Sequence, residues 1–224
     1  MPATPTVFLL DDEPGMLKAL TRLLKAEGFT VRGFTSSKTF LESYRPEERS
    51  CLVLDVAMPE LNGLDLQQRL THAGILLPIV FLTGHGDIPM SVQAIKAGAM
   101  DFLTKPVNDA DLLRAVRAAL QRAAEQHERA SETAKLRERL ASLTPREREV
   151  MDHVVAGQLN KQIAGDLGTS EHTIKVHRAR VMQKMGVESL ADLVRAAERL
   201  GLGGKVISNQ WSVIGDDWSL TTDH

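Results

Sequence analysis

The sequence predicts two folded parts of different class: an α/β domain followed by an all-α domain. Three observations carry this. Short apolar runs and helical periodicities alternate five times up to about residue 106. Beyond residue 108 only the helical period remains. Acidic, hydroxyl and lysine side chains also recur where the apolar runs end, which is where parallel sheets place their ligands.

The elements follow in order. Thr6-Val7-Phe8-Leu9-Leu10 reads as a strand ending at Asp11, Asp12 and Glu13. Pro14 suits a first helical position, and Leu17, Leu20 and Leu24 recur at helical spacing up to Gly28. Phe29 to Phe34 alternates like a strand, and Ser36-Ser37 starts a helix. Cys51-Leu52-Val53-Leu54-Asp55 has no polar residue before its last, as a strand covered on both faces requires. Pro59, Asn62 and Gly63 break the chain beyond it, and a helix follows from about Leu64 to Thr71. Residues 78–83 form a fourth strand ending at Thr83, residues 87–97 a helix stopped by Gly98, and residues 101–106 a fifth strand bearing Phe102 and Lys105.

With right-handed crossovers all five strands send their carboxyl ends to one edge. That edge collects Asp11, Asp12, Asp55, Thr83 and Lys105. Crowded carboxylates repel one another unless a cation joins them, and Mg²⁺ (or Mn²⁺) suits hard oxygen donors. A phosphoryl group arriving at Asp55 would find its charge neutralised by the metal and by the Lys105 ammonium, with the Thr83 hydroxyl on a phosphoryl oxygen. Asp55 is therefore a candidate nucleophile that would form an acyl phosphate. Individually, Asp11 and Asp12 could cap the next helix and Lys105 could be a solvated lysine; together they describe a site.

These residues carry a resemblance. Residues 5 to about 122 resemble the receiver domain of two-component response regulators, through Leu10-Asp11-Asp12-Glu13, Leu54-Asp55, Met58-Pro59, Gly63, Thr83 and Lys105-Pro106. Leu82-Thr83-Gly84-His85-Gly86-Asp87 and Lys96-Ala97-Gly98-Ala99 are similar to the FixJ-like branch. The resemblance implies a flavodoxin-like (βα)5 fold with Asp55 as phosphoacceptor. It implies Mg²⁺ held by Asp12, Asp55 and the Ala57 carbonyl, with Asp11 acting mostly through water. Thr83 and Phe102 would form the switch pair, the Lys105-Pro106 bond would be cis, and Ala57 and His85 would line the mouth of the site. An aspartyl-phosphate phosphohydrolase would carry a second acid two residues beyond its nucleophile; Ala57 stands there instead, so the chain is not read as an enzyme.

Residues 108–142 lack Pro and Gly and favour a helix of about 50 Å. Leu113, Val116, Leu120 and Ala124 give its first half an apolar stripe. The rest reads as a solvated spacer rather than a coiled coil, since the heptad seam would hold His127 and Ala134.

Thr144, Pro145 and Glu147 make a capping box with proline at the first helical position. Asn160 to Gly168 forms a short helix, Ser170 caps another running to Met185 and Gly186, and Ser189 to Leu200 forms the last. Two helices joined by a tight turn are a helix-turn-helix pattern. The helix after Ser170 carries a net charge of +3 in a chain whose total is −2. Residues 143 to about 200 resemble the four-helix LuxR/NarL-type DNA-binding domain, through Leu143-Thr144-Pro145-Arg146-Glu147, Asn160-Lys161-Gln162-Ile163-Ala164 and Thr173-Ile174-Lys175-Val176-His177. The resemblance places that helix in the major groove. Lys175 and Val176 would touch base edges, Arg178, Arg180 and Lys184 would hold phosphates, and Thr173 is a further expected DNA-binding residue.

The expected division is a receiver over 1–122, a helical linker over 123–142, the DNA-binding domain over 143–200 and a tail over 201–224. The tail, with Trp211, Trp218 and a net charge of −2, reads as solvated or as docking a tryptophan on a domain. Composition agrees with a globular chain: 43% hydrophobic and 25% charged residues in 224. Cys51 is the single cysteine, which excludes an internal disulfide. Asp11-Asp12-Glu13 cuts short the first apolar run, and no stretch approaches the ~18 apolar residues of a membrane span. The expected setting is the cytoplasm. The expected partners are a sensor histidine kinase, double-stranded promoter DNA, RNA polymerase and, once phosphorylated, a second copy of the chain.

Overall fold

The computed structural model describes residues 4–47, 49–59, 61–84, 92 and 94–202. The chain divides into one compact unit over residues 1–129 and another from residue 130 onward.

In the first unit five parallel strands, β1 (Thr6–Leu10), β2 (Thr30–Phe34), β3 (Ser50–Asp55), β4 (Ile79–Thr83) and β5 (Asp101–Thr104), lie in the order β2-β1-β3-β4-β5. Every pairing is parallel, so the carboxyl ends of all five meet at one edge. Side chains alternate across the sheet. Val7, Leu9, Cys51, Val53, Val80 and Leu82 face one layer; Phe8, Leu10, Leu52, Leu54, Ile79 and Phe81 face the other. Helix α1 (Pro14–Ala26) and the first half of α4 (Asp109–Ala141) cover the first layer through Leu20, Leu24, Leu112 and Val116. Helices α2 (Ser37–Ser43) and α3 (Gly63–His72) cover the second through Phe40, Leu66 and Leu70. β1, β3 and β4 are buried along their whole length, as a doubly covered parallel sheet demands. Cys51 lies within it, and burial pushes its thiol up to about 12, so it stays protonated. The helix expected over residues 87–97 falls largely outside the described residues; residues 94–96 are helical, and Gly98 follows at φ +94°.

The apolar stripe of α4 differs from the expected one. Its buried residues are Leu112, Ala115, Val116, Ala119, Leu120 and Ala123, whereas Leu113 is only half-buried. The expectation followed the large side chains. The structure turns three alanines inward, and small side chains are what let a helix approach a sheet closely.

In the second unit the end of α4 is followed by α5 (Pro145–Val155), α6 (Asn160–Asp166), α7 (Glu171–Met185) and α8 (Leu190–Arg199). Val150, Met151, Val154, Ile163, Ile174, Val181, Met185 and Leu193 form their common core. Leu136, Leu140 and Leu143 pack against that core, so the last turns of α4 are anchored rather than solvated. Arg139 secures them by donating to the Met185 carbonyl at 3.0 Å, and Arg199 pairs with Glu132 at 2.9 Å. The tail beyond residue 202, with Trp211 and Trp218, lies outside the described residues. Among the described residues no helix is long and apolar enough to cross a membrane.

Candidate functional site

The carboxyl edge of the sheet gathers the expected residues. Asp11 follows β1, Asp55 ends β3, Thr83 ends β4 and Lys105 follows β5. Asp11, Asp55 and Thr83 are buried, while Asp12 is exposed. Asp11, Asp12 and Asp55 each offer a carboxylate oxygen, and these oxygens all lie within 4.8 Å of one another. The Lys105 ammonium donates to Asp11 Oδ2 at 2.8 Å and to Asp55 Oδ2 at 2.7 Å. Burial disfavours charge on Lys105, but the hydrogen bonds and charges of the two aspartates outweigh it and hold its pKa above the ordinary value.

The local backbone fixes each carboxylate. Asp11 Oδ1 accepts from the Glu13 amide at 2.9 Å, and Asp55 Oδ1 from the Ala57 amide at 3.2 Å. The Lys105 amide donates to the Thr83 carbonyl at 2.6 Å, and the Lys105-Pro106 bond is cis, as the receiver resemblance implies. The chain after Asp55 folds back sharply, with the Gly63 amide on the Val56 carbonyl at 3.0 Å and Asn62 Oδ1 capping α3 through the Asp65 amide at 2.8 Å. Phe102 is half-buried, its ring 6.0 Å from that of Phe81. His85 lies outside the described residues. The donor set is all oxygen and anionic, which fits a small hard divalent cation.

The second candidate surface is α7. Ser170 caps it by accepting from the Thr173 amide at 3.1 Å, and Gly186 ends it at φ +63°. Lys175, Val176 and Arg180 are exposed along one face, Lys175 paired with Glu171 at 3.5 Å. His172, Ala179 and Gln183 extend the same face, at helical spacing that the sequence already held.

The other three expected contact residues are engaged inside the domain. Thr173 belongs to the cap, its hydroxyl 2.8 Å from that of Ser170. Arg178 donates to Asn160 Oδ1 at 2.8 Å, tying α7 to the start of α6. Lys184 donates to Glu147 Oε2 at 2.6 Å and to the Ser142 carbonyl at 3.1 Å. Sequence reasoning missed this last bond. The capping box called for Glu147, but nothing in the spacing revealed that its carboxylate would also receive a cation 37 residues further on.

Lys184 and then the Thr144 amide hold the Glu147 carboxyl down at about 2, against an ordinary 4.5. A carboxylate depressed in the folded state contributes stability that is complete above its unfolded pKa and is lost as pH falls through its folded one. The contribution is therefore present above about pH 4.5 and disappears between there and about pH 2. Glu147→Gln should flatten the acid unfolding limb of this domain across that window, followed by helical circular dichroism. Superimposable limbs for the two proteins would contradict the role given to Glu147.

Comparison with known proteins places both surfaces in context. Residues 7–117 match the response regulator receiver domain, and residues 141–197 match the bacterial regulatory proteins of the luxR family. The response regulator TodT of Pseudomonas putida is 48% identical over 194 residues, spanning 87% of this chain and 86% of that protein. The transcriptional regulatory protein FixJ of Azorhizobium caulinodans is 43% identical over 202 residues, spanning 90% and 96%. Among solved structures, that of the response regulator StyR has a TM-score of 0.77 at 47% identity, with 88% of this chain and all of that one covered. Full-length FixJ from B. japonicum has a TM-score of 0.54 at 39% identity, with 89% and 99% covered.

Proposed function

Because this chain belongs to the transcriptional response regulators that join a receiver to a luxR-family DNA-binding domain, we propose that Asp55 is its phosphoacceptor and that the phosphoryl group switches the chain's grip on promoter DNA. The observation that carries the reading is the pairing of Asp55 Oδ2 with Lys105 at 2.7 Å, beside Asp11 and Asp12 at the carboxyl edge of the sheet.

A sensor histidine kinase supplies the phosphoryl group as a phosphohistidine. The N–P bond breaks, an Asp55 Oδ–P bond forms, and the departing imidazole takes a proton. Asp11, Asp12, Asp55 and the Ala57 carbonyl would hold Mg²⁺ or Mn²⁺, which when bound supplies positive charge for the incoming oxygens. Lys105, already between two carboxylates, supplies the protein's own positive charge. Thr83 would turn its hydroxyl to the phosphoryl group. The Phe102 ring would then repack beside Phe81, so the phosphate would favour one of two arrangements of the segment before and within β5.

That segment would pair with a second chain, and the dimer would present two α7 helices to adjacent half-sites. Lys175, Val176 and Arg180 are the residues for the groove. Arg178, Lys184 and Thr173 act chiefly by fixing the helix that carries them. A regulator bound there would meet RNA polymerase on the same promoter. All of this is set in the cytoplasm.

Beryllofluoride with Mg²⁺, a mimic of the bound phosphoryl group, tests the reading directly. Wild type should pass from monomer to dimer in sedimentation, and its promoter affinity should rise at least about tenfold, which corresponds to ~1.4 kcal/mol of coupling. An unchanged oligomeric state and affinity would refute the switch.

A further inference from the structure

A cavity of about 300 Å³ opens in the first unit beside Leu77, Pro78 and Ile79, at the amino-terminal end of β4 and so at the opposite strand ends from Asp55. Leu70, Ile75, Leu77, Ile79 and Met100 make its wall largely apolar, and Leu76, 76% exposed, stands at its rim. This volume is at the small end of the range for small-molecule sites, which pair apolar walls with a few fixed polar groups.

The polar side chains here are Gln67, Thr71, Arg122 and Gln126, and the two amides stand out. Gln67 is 3% exposed; its Nε2 is committed to the carbonyls of Ala94 at 3.4 Å and Ala97 at 3.2 Å. Among the described residues its Oε1 is buried with no donor, and so is the Oε1 of Gln126, which lines the same cavity. A buried acceptor without a donor is costly, and one in a folded protein calls for an explanation. Both orphans are acceptors, so each lacks a donor; Arg122, four residues before Gln126 on α4 and lining the same cavity, is a donor at hand for Gln126, which leaves Gln67 as the acceptor to be met.

We propose that this cavity is a binding site for a small, mostly apolar molecule carrying a hydroxyl or N–H group, which donates to Gln67 Oε1 while its body fills the apolar wall. Water could supply the donors, but it would leave Leu70, Ile75, Leu77, Ile79 and Met100 wetted in a recess. The site is independent of the chemistry at Asp55. It touches the switch segment all the same, because Gln67 is the side chain that ties α3 to the turn before β5.

Cyclohexanol and methoxycyclohexane, nearly the same shape with and without the donor, are the probes. Titrated into the full-length chain and followed by amide NMR, cyclohexanol should give saturable shifts clustered in residues 67–79 and 94–100. The ether should bind roughly fivefold more weakly, the loss expected for one hydrogen bond. Gln67→Leu should abolish the preference for the alcohol. Shifts scattered elsewhere, shifts that do not saturate, or equal affinity of the two probes would overturn the proposal and leave water as the occupant. Should Gln67→Leu unfold, the comparison of the two probes on wild type still decides.

Discussion

Asp55→Asn should reduce phosphoryl uptake from a phosphodonor at least about 10³-fold, the scale on which enzymes lose rate when a nucleophile is removed. An amide oxygen is too weak a nucleophile to accept the group, although it fills the same space beside Lys105. The substitution has a second, opposite effect on stability. Asp11, Asp12 and Asp55 against Lys105 leave a local charge of −2, and the variant leaves −1. Like charges repel less, so the metal-free variant should unfold at or above the wild-type temperature. Added Mg²⁺ should then raise the melting temperature of wild type more than that of the variant, because a ligand stabilises in proportion to its affinity for the folded state. Full phosphoryl uptake by Asp55→Asn, read by intact-protein mass, would move the nucleophile elsewhere in the chain. Equal stabilisation of both proteins by Mg²⁺ would detach Asp55 from the metal.

Gly63→Ala should lower the melting temperature of the receiver by on the order of 10 °C, or about 3 kcal/mol, while leaving the second transition where it is. A Cβ at Gly63 would stand 2.5 Å from the Asp55 carbonyl, 3.0 Å from Phe81 Cε1 and 3.1 Å from Val56 Cα. Two of those neighbours are backbone at the end of β3, which cannot step aside as a flexible side chain does. The Gly63 amide also bonds the Val56 carbonyl, so the loop cannot swing out without breaking that bond. Gly84→Ala is the control: among the described residues nothing lies within 4 Å of its added Cβ. Scanning calorimetry separates the outcomes. A Gly63→Ala receiver as stable as the Gly84→Ala one would mean that the turn after Asp55 has more room than the structure gives it.

Gly63 also marks how far the sequence could be read. The strands, their order of appearance and the site at their carboxyl ends were legible because apolar runs and punctuating polar residues are local signals. Asp11, Asp12, Asp55, Thr83 and Lys105 meet because parallel strands must end together. The glycine after Asp55 looked like turn punctuation; that it is needed for close approach of two backbones is a fact of three dimensions. The same holds for the packed stripe of α4, where inward alanines carry less sequence signal than the leucine beside them. The bond from Lys184 to Glu147 was hidden for a further reason. A lysine on a basic helix has the same residue type whether it serves a phosphate or a carboxylate, and only the fold assigns it.

The anchoring of α7 divides its residues between two tasks. Arg178 to Asn160, Lys184 to Glu147 and Arg139 to the Met185 carbonyl fix the helix from its middle to its end, and none of these bonds uses the open face. His172, Lys175, Val176, Ala179, Arg180 and Gln183 are thereby relieved of holding the domain together. On the proposed reading, substitutions among those six positions would change which operator is chosen while the scaffold keeps its stability. Related regulators would thus diverge onto new genes through a handful of surface residues, with the proposed phosphorylation site left intact.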